Sequence, residues 1–357
     1  MHSQLVALQL LFSPIRLLVL ASGARPDHLQ IVLAPSAMFK SPCPWALLLI
    51  TPLLPLVSAA TYSLTDNFVG TGFLSGFTHE AISDPTHGRV TYVDQATALA
   101  DNLTYASDNH FVMRTDFTTT LSASGPGRNS VRIKSDKTYT THVAVFDIRH
   151  MPEGCATWPA AWETLESDWP ASGEVDIVEG VNNVDPNAST LHTSAGCTMP
   201  QSRDMTGTAV SLDCNTADNG NQGCSVDNNK ANSFGPGFNA AGGGWYVMER
   251  TSTFIRVFFW SREDSSVPSS VENGASTINT DTFGTPVALF TNDSCDIASH
   301  FGENNIIINL TLCGDWAGQD SIFSSAGCPG TCVDYVNNNP SDFINAYWDF
   351  AAVRVYT

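Results

Sequence analysis

"GEVDIVEG", residues 173–180, places three carboxylates, Glu174, Asp176 and Glu179, among apolar neighbours. On a helix, successive residues turn by about 100°, which would hold Glu174 and Glu179 roughly 140° apart and turn Asp176 away from Glu174. On a strand, side chains alternate, so Glu174 and Asp176 share a face while Val175, Ile177 and Glu179 take the other. One β-bulge between Asp176 and Glu179 inserts an extra residue, re-aims everything beyond it, and brings all three acids to one surface. Val175, Ile177 and Val178 make a segment expected to pack on both sides, where unpaired carboxylates are costly. Acids kept in such a place point to chemistry rather than to a solvated edge.

The surrounding runs have the same strand character. "NSVRIKS" (129–135), "HVAVFDI" (142–148), "TLHTS" (190–194), "WYVMER" (245–250), "FIRVFFW" (254–260), "NNIIINLTL" (304–312) and "WDFAAVRVYT" (348–357) are β-branched or aromatic and bounded by turn residues. Helix signals do not recur. "ERTST" reads as a hairpin connection between two of these runs. No low-complexity linker divides residues 61–357, which predicts one all-β sandwich domain with long loops. The polar, Gly-rich stretch 198–244 is the longest of these loops, and Cys214 and Cys224 within it suggest a staple.

The first 60 residues differ. "MFKSPCPWALLLITPLLPLVSAA", residues 38–60, has a basic residue, an apolar run and a small-residue end, the anatomy of a cleaved secretory signal. Residues 1–37 are then expected to lie upstream of the true start at Met38. Their apolar run is broken by Pro14 and Arg16, a poor membrane span, so the mature form is expected to be secreted, extracellular and without a membrane anchor. It keeps eight cysteines, Cys155, Cys197, Cys214, Cys224, Cys295, Cys313, Cys328 and Cys332, an even set that reads as up to four disulfides of open connectivity. Sequons begin at Asn102, Asn187, Asn292 and Asn309, each a surface position if glycosylated. A formal net charge of −19, from 16 Lys and Arg against 35 Asp and Glu, excludes the phosphate attraction that nucleic-acid binding requires.

Two carboxylates flanking a bond are the equipment of glycoside hydrolysis, one as nucleophile and one as proton donor and then base. A third acid between them pushes neighbouring pKa values apart, a role for Asp176. Five extended steps span about 16 Å, whereas a retaining pair needs carboxyl groups about 5 to 5.5 Å apart. Only a bulged strand on a curved sheet closes that gap. Immediately upstream, "CATWPAAWETLESDWPASGEVDIVEG" contains Trp158, Trp162 and Trp169. Indoles are rigid platforms for the CH faces of sugars. Trp162 and Trp169 are expected in a Pro-rich loop beside the cleft, and for Trp158 a place in the core stays equally open. His192, in "TLHTS", follows closely enough to lie on the antiparallel neighbour of the acid strand and bond a carboxylate or a sugar hydroxyl.

"GEVDIVEG", preceded by "TWPAAWE" and followed by "TLHT", resembles glycoside hydrolase family 16, and the likeness extends to "NIIINLTLCGDWAG", "GCPGTCVDYV" and "YWDFAAVRVY". From Thr61 to Thr357 the chain is similar to that family's secreted fungal laminarinases. The resemblance implies a jelly-roll β-sandwich with a concave substrate cleft. It also implies endo-hydrolysis of β-1,3 linkages, and of β-1,4 linkages next to them, by a retaining mechanism. Glu174 would be the nucleophile, Glu179 the acid/base and Asp176 the nucleophile's support. Family members with the shorter E-x-D-x-E form lack the bulge residue. The resemblance carries over Trp162, Trp169, His192, Arg132, Trp316 and Trp158 as substrate-binding residues. It also matches Asp349 to an acid of the terminal strand that ligates a structural calcium in some members. No cofactor is implied; the partner is β-glucan polysaccharide, and the mature form is expected to act as a monomer. A glucan-binding module on the same scaffold is the competing reading, but such proteins typically lack one of the acids, and all three stand here.

Overall fold

The computed structural model describes residues 61–357; the expected signal segment, Met38 and Cys43 lie outside them. Two antiparallel sheets face each other in a jelly-roll sandwich. The first runs, edge to edge, through Thr208–Ala209, Cys224–Asp227, Ala188–His192, Glu174–Glu179, Thr157–Thr164, Asn304–Leu312, Arg132–Tyr139 and Phe77–His79. The second is built on Thr61–Phe68, Tyr347–Tyr356, His142–His150, Gly244–Arg250 and Phe254–Ser261, extended at its two ends by Thr277–Asn279 and Ala288–Thr291. These described residues belong to one compact unit.

Val175, Ile177, Leu191, Ile306 and Ile308 of the first sheet pack against Ala144, Phe146, Ile148, Tyr246 and Met248 of the second. Burying each of the larger aliphatic side chains contributes about 1.5 to 3 kcal/mol. Those central strands of the second sheet are apolar on their far face too. There Val143, Val145, Trp245, Val247 and Trp260 lie under Val267, Val271 and Phe283, which is why the runs at 142–148 and 254–260 read as continuous rather than alternating. "ERTST" does join two paired strands, with Arg250 opposite Ile255.

Two features depart from the sequence reading. Trp162, expected in a loop, stands on the central strand Thr157–Thr164, with the acid strand on one side and Asn304–Leu312 on the other. Pro159 is tolerated because the acid strand pairs with it only from Ala160 onward, so the proline lies beyond the ladder on that side. Short helices also occur, the longest of those between residues 314 and 343 being Cys332–Asn338. They pack Phe323 and Val336 on Leu310 and Leu312, and are tied down by Cys155–Cys328 and Cys313–Cys332. The remaining cysteines pair as Cys197–Cys295 and Cys214–Cys224. The last of these is the expected staple of the long loop.

Candidate active site

The register of the acid strand shifts against both neighbours, between Asp176 and Glu179 on one side and between Asp176 and Val178 on the other. That is the expected bulge. Its effect is that Ile177 and Val178, adjacent in sequence, both enter the core with Val175, while Glu174, Asp176 and Glu179 all line the cleft. The strand is entered through Gly173, in the left-handed region at φ +73°. A Cβ there would lie 2.5 Å from the Phe301 ring and 2.6 Å from the His300 carbonyl oxygen, so only glycine fits. Thr164 Oγ1 and Asn304 Nδ2 donate to the Gly173 carbonyl at 2.9 and 3.3 Å and fix the turn.

The cleft has a volume of about 930 Å³. Arg132, Trp158, Trp162, Trp169, His192 and Trp316 all line it together with the three acids, although they come from five separate segments. Trp158 is a cleft residue, not a core one: its Nε1 donates to Glu179 Oε2 at 3.2 Å and its ring meets Trp316 edge-on at 5.6 Å. Trp162 also stands on the strand rather than in a loop. Its Nε1 donates to Asn309 Oδ1 at 2.7 Å, and the Arg132 guanidinium lies 5.0 Å from its ring centre. Trp169 is in the loop as expected, 44% exposed, with Nε1 donating to Glu174 Oε2 at 2.6 Å. Arg132 is buried and spent on neighbours, pairing with Glu80 at 2.8 Å and with Glu166, while Lys134 bonds Glu166 at 2.7 Å. It therefore backs the Trp162 platform.

His192 stands opposite Glu174 on the neighbouring strand. Its Nε2 is 3.3 Å from Asp176 Oδ2 and its Nδ1 is 3.0 Å from Asn221 Oδ1. Burial alone would depress this imidazole, but the bond to Asp176 and the charges of Glu174, Asp176 and Glu179 prevail and push it up to about 10. Asp176, 4% exposed, is raised well above the usual carboxylate range, first by burial and then by Glu174 and Glu179, with His192 opposing. Glu179 is raised as well, chiefly by burial, against the lowering effects of His192 and the Trp158 indole. Thr190 Oγ1 reaches its other oxygen at 3.4 Å. Glu174, Asp176 and His192 offer ligand atoms within 4.8 Å of one another, but the surrounding acids favour the protonated imidazole, which does not ligate a metal. The group is a proton-sharing cluster.

Asp349 lies apart from the cleft. Its carboxylate accepts from His110 Nδ1 at 2.9 Å and faces Arg149 at 3.8 Å. Both of these partners are side chains of the protein, and among the described residues no metal-ligand group includes Asp349. The sequence reading missed Asn221, Thr190, Glu166 and Asn309 as cleft residues. Thr190 carries the one available signal, since it stands two residues before His192 and so shares its face.

The catalytic-domain model described as "XgeA-like, catalytic GH16 domain" matches residues 77–356. A probable glycosidase of Schizosaccharomyces pombe is 42% identical over 305 residues, covering 85% of this chain and 71% of the relative. The endo-1,3(4)-β-glucanase xgeA of Emericella nidulans is 38% identical over 84% of this chain, which spans only 48% of that relative. Laminarinase 16A from Phanerochaete chrysosporium, solved with 6-O-glucosyl-laminaritriose in both donor and acceptor sites, superposes with a TM-score of 0.83 at 68% identity, over 84% of this chain and 100% of that one. An elongating family 16 β-1,3-glucosyltransferase superposes with a TM-score of 0.77 at 37% identity, over 83% and 100% of the two chains. The matched span contains the bulged acid strand, the tryptophans and His192, and the chain belongs to glycoside hydrolase family 16.

Proposed function

We propose that residues 61–357 hydrolyse internal β-1,3 linkages of laminarin-type glucans, and β-1,4 linkages next to them, with retention of anomeric configuration. The observation that carries this reading is the bulge that turns three carboxylates into one tryptophan-lined cleft. Glu179, raised by burial, holds a proton to give to the glycosidic oxygen as the bond breaks. Glu174 attacks the anomeric carbon from the opposite face and forms a glycosyl ester; its Oε2 is held by Trp169, which leaves Oε1 for attack. Glu179, now deprotonated, takes a proton from water, and that water attacks the ester carbon. Two inversions restore the β configuration. Asp176 lies between the two glutamates and shares a proton with His192, so that charge can shift between the glutamates without three anions facing one another.

Support for the glucan comes from the relatives, among them endo-1,3(4)-β-glucanases and a laminarinase with β-glucans in donor and acceptor sites. Proton NMR of laminarin digestion tests it. Early β-anomer supports the retaining endo-glucanase, and early α-anomer overturns the mechanism. Binding without cleavage would leave a glucan-binding module instead. Glu174→Ala is expected to abolish turnover while keeping affinity. Secretion belongs to the same proposal, and a mature N-terminus upstream of Ala59 would refute it.

A further inference from the structure

We propose that Asn221 is a positioning residue for this hydrolysis: held against His192 by a disulfide-closed loop, its side-chain oxygen keeps the imidazole doubly protonated and aimed at Asp176. The inference rests on the retaining reading above for its effect on rate, but not for its effect on His192.

Three observations converge on Asn221. The Cys214–Cys224 disulfide closes a ten-residue separation, and the loop it closes presents Asn219, Gly220, Asn221 and Gln222 to the cleft. Within it, Asn219, Gly220, Asn221 and Gly223 all have positive φ, at 50°, 66°, 62° and 63°, a conformation that Asn and Gly adopt at least cost. The loop also sits directly on the histidine. A Cβ on Gly223 would lie 2.8 Å from His192 Cε1 and 2.5 Å from the Leu191 carbonyl oxygen. Backbone shape, staple and side chain thus combine to place one amide oxygen 3.0 Å from His192 Nδ1.

The chemistry follows from the two acceptors. An oxygen acceptor at Nδ1 keeps a proton on that nitrogen, and nearby carboxylates favour a second proton on Nε2, which gives the ring a positive charge. Here Asn221 Oδ1 is the acceptor at Nδ1, and Asp176 Oδ2 stands 3.3 Å from Nε2. The charged groups that face the ring are Asp176, Glu174 and Glu179, all acidic. Without the Asn221 oxygen, Nδ1 could give up its proton and leave a neutral ring among three carboxylates. Because the charged His192 lowers Glu179, its loss would raise the pH at which Glu179 releases its proton. The alkaline limb of the pH–rate profile depends on that event, so it should move to higher pH.

Asn221→Gly separates hydrogen bond from loop shape, because glycine accepts φ 62° but offers no oxygen. Asn221→Asp restores an oxygen and also tolerates that conformation. For Asn221→Gly we expect a roughly tenfold fall in kcat on laminarin, little change in KM, and an alkaline limb of kcat/KM displaced to higher pH; Asn221→Asp should recover most of the loss. Long-range proton–nitrogen NMR of the His192 ring gives a readout independent of activity. Both ring nitrogens should be protonated at pH 7 in the wild type, and the ring should titrate at lower pH in Asn221→Gly. A neutral His192 ring in the wild type at pH 7, or an unchanged titration in Asn221→Gly, would overturn the proposal. A rise in KM alone would overturn it too, by making Asn221 a direct sugar contact. Loss of the hydrolytic reading would leave the NMR result standing.

Discussion

Removable neighbours help set how Glu179 and His192 hold their protons. The Trp158 indole lowers Glu179 by hydrogen bonding to its charged form. Trp158→Phe should therefore raise Glu179 further and carry the alkaline limb of kcat/KM to higher pH; a profile recorded between pH 4 and 9 checks the direction. His192 gives a stability prediction. Its folded value of about 10 exceeds the unfolded 6.5, so its contribution is complete below pH 6.5, shrinks across that window and is gone above about pH 10. The difference in Tm between wild type and His192→Gln, followed from pH 6 to 10, should shrink accordingly. At this scale the acids were readable because three like charges in an apolar run have few structural explanations. Asn221 was not, since an asparagine in a polar loop looks like any other until the fold sets it against an imidazole.

Among the elements, the strand Thr157–Thr164 does two jobs. Its cleft face carries Trp158 and Trp162, while its core face puts Glu163 between the sheets, where it bonds His142 Nε2 at 2.8 Å and faces Arg250 at 3.8 Å. His142, Glu163 and Arg250 are each almost wholly buried. Removing one member of such a group leaves charges uncompensated. Glu163→Ala should cost about 3 to 5 kcal/mol, measurable by urea unfolding, whereas a surface substitution such as Thr140→Ala, at an exposed position, should cost under about 0.5 kcal/mol. This strand escaped the sequence reading because Pro159 and the spaced tryptophans imitate a loop. The strands at 142–148 and 254–260 were plain because burial on both faces leaves near-continuous apolar runs, and 304–312 was plain from its three successive isoleucines. The short helices at 314–343 have too few turns to show a period, and it is the disulfides and the apolar patch beneath that hold them.

For the whole molecule, the sequence fixes more candidate glycan sites than the fold can use. Asn187 and Asn309 are buried, Asn309 with its amide between Trp162 and Tyr92, so the surface expectation fails for both. Asn102 and Asn292 are exposed. Protein made in a glycosylating secretory host should carry glycans at Asn102 and Asn292 and at neither buried site, as peptide mass spectrometry would show. The sandwich itself was legible from strand spacing and turn residues. Which distant segments meet at the cleft was not, because that depends on strand order, and here strands from residues 132, 174 and 304 become near neighbours through connections of very different length. The bulge also bears on how such a chain can vary by descent. Loss of the single codon for Ile177 would leave Glu-Val-Asp-Val-Glu, in which strict alternation alone still turns every acid to the cleft and every valine to the core. The longer and shorter family motifs are thus one in-frame deletion apart, with no intermediate that buries a carboxylate, whereas losing Val175 would drive Glu174 toward the core.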